Sequence, residues 1–538
     1  MPTSPTSPPA PIARPPVPAT STTLTALKPG RRHAQPRPPG SGDACWLADL
    51  ASRAGKPLIV LTADPLDAQR LTDEIPLFAP GLRVHQLPDW ETLPYDGFSP
   101  HQDLISERLQ TLHTLMRKEL DVLTVPVTTA LYRLAPPSFL AAYTFSFRQG
   151  EALNEAALRA QLTLANYSHV TQVTAPGEFC LRGGLIDLFP MGSALPYRID
   201  LFDDEIESIR SFDVDTQRSL YPVREVQMLP GREFPMDEAA RTRFRARFRE
   251  VFEGDPSRAL PYRDIGNGLA FAGVEYYLPL FFEHTATLLD YLDADTITVT
   301  LGDIDNAMQR FAADTASRYA FLSVDRERPV LPPASLFLSA DELYVGLKPF
   351  SRLSLNEGAH PDFIAAPEAA VARRADDPLA RLRTLTQQPT TRIALCADSP
   401  GRRETLLHML SEHGLPPDTQ ADSIADFLQG DAAFGLVVAP LVNGFGIPDA
   451  GVVLLTENDL YPDLAAPSRR RGKRAQEQAS NVEAMVRDLA ELRAGDPVVH
   501  AQYGIGRYHG LVGMDMGEGE MEFLHLEYAN SSKLYVPV

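Results

Sequence analysis

The run PLIVLTADPLDAQRLTDEIPLF, starting at Pro57, limits the possible folds more than any other. A short apolar stretch passes through a polar turn at Ala63-Asp64 into apolar residues at helical spacing, which predicts a strand followed by an amphipathic helix. A second buried strand is predicted in LDVLTVPVTTAL. The alternation returns in TRIALCAD, the helix of SPGRRETLLHMLSEHG, FGLVVAPLV and GVVLLTEND. Strands alternating with helices imply parallel sheets and an α/β multidomain chain. A nucleotide-hydrolysing enzyme of this class needs a GxxxxGK[ST] loop, whose backbone N–H groups cradle phosphate. The sequence has none: Gly55-Lys56 runs into Pro57, and Gly472-Lys473 into Arg474. The acidic pairs Asp73-Glu74, Asp204-Glu205, Asp237-Glu238 and Asp341-Glu342 therefore read mostly as surface charge, with no nucleotide to serve.

At 538 residues the chain has room for about three or more domains of roughly 100 to 200 residues. No apolar run approaches the roughly 20 residues that span a bilayer, so no membrane contact is expected. Residues 1–42 are rich in proline, serine and threonine and read as a disordered tail. Cys45, Cys180 and Cys396 are too scattered for a metal site and are expected to be buried thiols in a reducing cytoplasm. A net charge of -20 argues against broad nucleic-acid binding and favours protein partners. The exception is the basic run Arg469, Arg470, Arg471, Lys473 and Arg474, read as a solvated linker with DNA contact as the second option.

Between about 138 and 235 the pattern changes to short strands. Gly183-Gly184 inside GEFCLRGGLIDLFP predicts a bulge or tight bend that re-aims Arg182. A stretch without regular structure is expected from RPVLPPASLF to about Asp377. Near the C-terminus, Asp496 to His500 reads as a strand, with the glycines of Tyr503-Gly504-Ile505-Gly506-Arg507 making the following turn. Phe523 to Tyr528 and Lys533 to Val536 alternate like half-buried antiparallel strands. Trp90 and Tyr95 read as aromatic packing under a loop.

Three of these stretches carry a resemblance to the bacterial transcription-repair coupling factors. WETLPYD with SPHQD resembles the first region of that family and, more distantly, of UvrB. GEFCLRGGLIDLFP with PYRIDLFDDEIESIRSFDVDTQRS resembles the domain that binds UvrA, and VVHAQYGIGRY with LEYANSSKLYVPV resembles the RNA-polymerase-interacting, CarD-like domain. The resemblance implies a degenerate RecA-like domain in two parts (43–137 and 236–330) around an inserted α+β UvrA-binding domain at 138–235. A linker at 331–377, a second α/β spacer domain at 378–465, a basic linker at 466–485 and a small all-β, Tudor-like barrel at 486–538 would follow.

The family pattern implies Arg182, His169 and Phe189 as candidates for UvrA contact. Val498, Val499, His500, Ala501, Gln502 and Arg507 are its candidates for strand addition to the RNA polymerase β subunit. At Cys180 and Ser168 the family has arginines, and at Ala501 a larger apolar residue. The resemblance further implies a transcription-coupled excision-repair factor whose ATP- and magnesium-dependent DNA translocase motor lies outside this chain. No catalytic residue, cofactor or metal is then expected here. The competing readings are a UvrB-like damage-verification protein and a stand-alone helicase or NTPase.

Overall fold

The computed structural model describes residues 27–372, 374–462, 497–500, 504–515, 520–527 and 533–537. The chain divides into two units, Met1–Leu460 and Tyr461–Val538, described separately below. Most of the proline-rich tail, the basic run 469–474, Ala501 and Gln502 lie outside the described residues.

Leu58–Thr62 is a fully buried strand because LIVLT is apolar on both faces, as the centre of a parallel sheet requires. The helix Pro65–Phe78 follows directly. Asp64 caps it by accepting the Leu66 N–H at 2.9 Å, and Pro65 supplies the fixed φ of a first turn. Six strands pair in the spatial order Arg32–Pro36, Ser351–Asn356, Ile297–Leu301, Leu58–Thr62, Val122–Pro126 and Val84–Gln86, all parallel. The chain leaves this sheet after Pro126 and re-enters it at Ile297, so the intervening segment is an insertion.

Two expectations need correction. Arg32–Pro36 falls in the stretch read as a disordered tail, yet it is an edge strand. The segment read as a linker contains the helix Ala340–Leu347 and the strand Ser351–Asn356, which lies inside the same sheet, while Ile364–Ala365 pairs into the next domain. Proline and polar residues concealed these elements, whose pairing is entirely long-range.

The inserted module builds a second six-stranded sheet in the order Ser219–Val223, Glu205–Phe212, Tyr197–Phe202, Leu185–Phe189, Glu178–Arg182 and Ser168–His169. It is antiparallel except for the last pair. Gly183 and Gly184, at φ 56° and 83°, form the two-residue turn of the hairpin between Glu178–Arg182 and Leu185–Phe189. Of the bulge or tight bend expected at Gly183-Gly184, the tight bend is the one that forms.

Trp90 and Tyr95 are buried, as expected. The Trp90 indole N–H donates to Glu233 at 2.8 Å, Arg108 donates to the same carboxylate at 2.8 Å, and the Tyr95 hydroxyl donates to the Leu331 carbonyl. The two bonds to Glu233 fasten the far end of the inserted module to the first domain.

The spacer domain has a third six-stranded sheet, ordered Ile364–Ala365, Phe445–Ile447, Val452–Thr456, Arg392–Ala397, Phe434–Val438 and Thr419–Ala421. Its apolar residues join the core of the first domain, where Phe78 and Phe363 both pack on Phe445 with ring centroids 5.9 and 5.8 Å apart. Cys45, Cys180 and Cys396 are free and buried, and burial pushes the thiols of Cys45 and Cys396 upward.

In the second unit Pro497–His500, Gly504–Asp515, Glu520–Glu527 and Lys533–Pro537 form an antiparallel meander in chain order. Gly504 and Gly506, read from sequence as a turn, are ladder residues opposite His500 and Val498. Tyr508 and Leu526 are register partners and both buried.

Candidate functional site

The outer face of the inserted sheet is organised around Asp187, which has no exposed side-chain surface. Alternation along the strand brings Cys180, Asp187, Arg198 and Arg210 into one row across four strands. Arg198 grips the Asp187 carboxylate from Nε at 2.6 Å and Nη2 at 3.0 Å, and its guanidinium lies 4.9 Å from the Phe212 ring centroid. That hydrogen-bonded carboxylate holds the Arg198 guanidinium more firmly protonated. Arg182, half exposed beside the hairpin turn, donates to Asp187 Oδ2, the oxygen that also accepts from Arg198 Nη2. The result is an arginine-rich rim whose geometry is set by one buried carboxylate.

Of the other two candidates on this module, His169 lies on the opposite face and Phe189 is buried on the same face as Asp187. His169 is in register with Phe179, and its ring sits 5.1 Å from that ring. Phe179 and Arg182 are three residues apart on one strand and point to opposite faces, so His169 does not share the face of Arg182. Phe189 is buried in a small cluster with Val173, Cys180 and Phe212, and is a packing residue rather than an exposed contact. Cys180 lies on the Arg182 face but is buried, with its thiol toward the Thr171 carbonyl at 3.4 Å. Sequence reasoning missed Asp187, Arg198 and Arg210. The signal was Arg198 and Arg210 alternating with the apolar Ile199 and Ile209.

A second missed feature lies between the strand Arg32–Pro36 and the helix Gly42–Ala54, where Gly40-Ser41-Gly42-Asp43 makes the turn. In an α/β fold this strand–glycine turn–helix junction is where backbone N–H groups receive phosphate. Here the junction is filled by protein. Asp43 is fully buried and receives Arg37 at 2.9 Å and Arg70 at 2.7 and 2.8 Å. Glu74, read from sequence among the surface charges, is also buried. It accepts from Arg70 at 2.6 Å, from the Ser41 hydroxyl at 2.8 Å and from the Val442 N–H of the spacer domain at 2.8 Å. A Cβ on Gly40 would meet the Gly444 carbonyl at 2.3 Å.

In the second unit, Val498, Val499 and His500 lie on Pro497–His500, an edge strand of the described sheet. Arg507 is exposed in the neighbouring strand, opposite Pro497 on one side and Glu527 on the other. His509 Nε2 lies 2.8 Å from the Glu527 carboxylate on the same side of the meander as Arg507. Among the described residues no group of three or more histidine, cysteine or acidic side chains could hold a metal, and no helix is long and apolar enough to cross a membrane.

Three family models match separate parts of the chain: the UvrB interaction domain at 145–234, the MFD D3 domain at 386–460 and the CarD-like/TRCF RID domain at 492–538. The transcription-repair-coupling factor of Escherichia coli is 40% identical over 510 residues, covering 93% of this chain and 44% of the relative. That of Haemophilus influenzae is 38% identical over 517 residues, with the same two shares, and that of Bacillus subtilis is 24% identical over 530. The chain thus spans under half the length of these curated relatives. With the three domain types in this order and 40% identity along nearly its whole length, the chain is similar throughout to the transcription-repair-coupling factors.

Proposed function

We propose that this chain is the coupling portion of a transcription-coupled nucleotide excision repair factor, joining a stalled RNA polymerase to UvrA. The observation that carries the reading is the presence, in one chain, of a UvrB interaction domain and a CarD-like/TRCF RID domain. On this reading the first parallel domain is a degenerate RecA-like fold, and the C-terminal meander belongs to a small Tudor-like barrel. The whole protein works as an ATP- and magnesium-dependent DNA translocase through domains outside this chain.

UvrA docks on the outer face of the inserted sheet, where Arg182 leads and Arg198 and Arg210 extend the basic row. Arg182 is already oriented by Asp187, so a partner carboxylate meets a guanidinium with little freedom left to lose. RNA polymerase adds a strand of its β subunit to Pro497–His500, where main-chain hydrogen bonds supply affinity and Arg507 supplies charge selection. Ala501, Gln502 and the basic run 469–474 remain candidate contacts to polymerase and DNA.

The test is a pair of titrations with the intact chain, against the isolated N-terminal lobe of the polymerase β subunit and against UvrA. Arg507→Glu should weaken the first at least tenfold and leave the second unchanged; Arg182→Glu should do the reverse. If the folded wild-type chain binds neither partner at concentrations up to about 0.1 mM, a limit of roughly 5.5 kcal/mol, the reading fails.

A further inference from the structure

A parallel sheet is normally covered by apolar contacts on both faces. The first sheet obeys this rule at its centre and breaks it at one edge. Across Arg32–Pro36, Ser351–Asn356 and Ile297–Leu301, register places Arg32, Arg352 and Thr298 in one row and Ala34, Ser354 and Thr300 in the next, all on the same face. This polar face floors an open cavity of about 460 Å³, walled by Tyr344 of the helix Ala340–Leu347 and by Asp303 and Asp305 at the start of the helix Ile304–Leu322. The opposite face keeps Leu353, Leu355, Val299 and Leu301 in the core.

The charges in this groove are incomplete. Arg32 and Arg352 are register neighbours on adjacent strands, a spacing of about 4.8 Å, where like charges repel unless an anion joins them. Neither is in an ion pair among the described residues. Arg32 donates from Nε to the Ser354 hydroxyl at 3.1 Å, which also receives the Thr300 hydroxyl at 3.0 Å. Arg352 donates from Nη2 to the Gly30 carbonyl at 3.3 Å, and its Nε is buried with no partner. Beside the groove runs Arg32–Pro36, an edge strand whose outer side has no strand partner among the described residues and which ends at Pro36, a residue that edges tolerate.

We infer that this edge and groove bind an extended acidic segment of a partner protein. The segment adds alongside Arg32–Pro36 and places a carboxylate between Arg32 and Arg352. A polyphosphate chain fits less well, because it is charged at every unit whereas Asp303 and Asp305 wall the other end of the cavity. A peptide with alternating carboxylates matches both the strand period and the single cationic end. The surface is separate from the UvrA and polymerase candidates and does not depend on either.

The experiment is fluorescence anisotropy of a labelled decapeptide of alternating valine and glutamate titrated with the intact chain. The lysine counterpart and a single-stranded DNA oligonucleotide serve as comparisons. Saturable binding of the glutamate peptide alone is expected, weakened at least tenfold by Arg32→Glu, with slowed amide exchange at Arg32 and Ala34, whose N–H groups face away from the neighbouring strand, on saturation. Arg32 is exposed, so the variant should melt like the wild type; Arg352→Glu is the second variant, checked for folding by circular dichroism. The inference is overturned if the glutamate and lysine peptides bind equally, if DNA binds more tightly and responds to the same substitutions, or if nothing binds at about 1 mM, roughly 4.1 kcal/mol.

Discussion

Asp187 is buried without exposure yet bonded to two arginines of unequal standing. Arg182 is half exposed, so its share of the pairing contributes little to stability. Arg198 is largely covered, and removing its carboxylate leaves a guanidinium with poor alternatives. We expect Asp187→Asn to lower unfolding free energy by about 2 kcal/mol in urea titrations, and Arg182→Ala to change it by less than about 0.5 kcal/mol. A second residue sets a pH dependence. Burial pushes the Glu275 carboxyl from 4.5 up to about 6, although the Ser99 hydroxyl donates to it at 2.7 Å. The folded state therefore keeps a proton that the unfolded chain releases, and stability falls as pH rises through that window. The loss is complete above it, at about 2 kcal/mol for a shift of this size. Glu275→Gln should stabilise the protein at about pH 7.5 and make little difference at about pH 4, as read from paired urea titrations.

At the scale of elements, legibility followed burial. Leu58–Thr62, Val122–Pro126, Arg392–Ala397 and Val452–Thr456 carry nearly continuous apolar runs because both their faces are covered, and each is plain in the sequence. Arg32–Pro36 and Ser351–Asn356 were not legible, since RHAQP and SRLSLN present a polar face to the groove and rely on partners about 320 residues away in the chain. The glycines at 504 and 506 were misread for the opposite reason: glycine suggests a turn, but here the ladder runs through it. At the candidate UvrA surface Arg182 was legible from its motif, whereas Asp187 and Arg198 became visible only once register aligned three strands. Asp64→Ala, which removes the bond to the Leu66 N–H, should cost about 1 kcal/mol by thermal or urea unfolding.

For the larger unit as a whole, the decisive contact is the one that fills the junction at Gly40–Asp43. Ser41 exchanges hydrogen bonds with Asn443, its N–H donating to the Asn443 carbonyl at 3.1 Å and its hydroxyl accepting the Asn443 N–H at 3.2 Å. The first domain and the spacer domain therefore meet at a strand–glycine turn–helix junction, a place where α/β folds can receive phosphate. Asp43→Lys should give no ATP binding by calorimetry at millimolar nucleotide, and should lower stability by about 3 kcal/mol, since it sets a cation against Arg37 and Arg70. Binding restored without loss of stability would refute this account of the junction. The arrangement also has an evolutionary consequence. A lineage that placed a lysine at position 43 would first have to tolerate a cation set against Arg37 and Arg70, which would keep only Asp67 and Glu74 as partners. On the proposed degenerate RecA-like reading, loss of nucleotide chemistry here acts as a ratchet, and selection can reshape the surfaces around it but has no short path back through it.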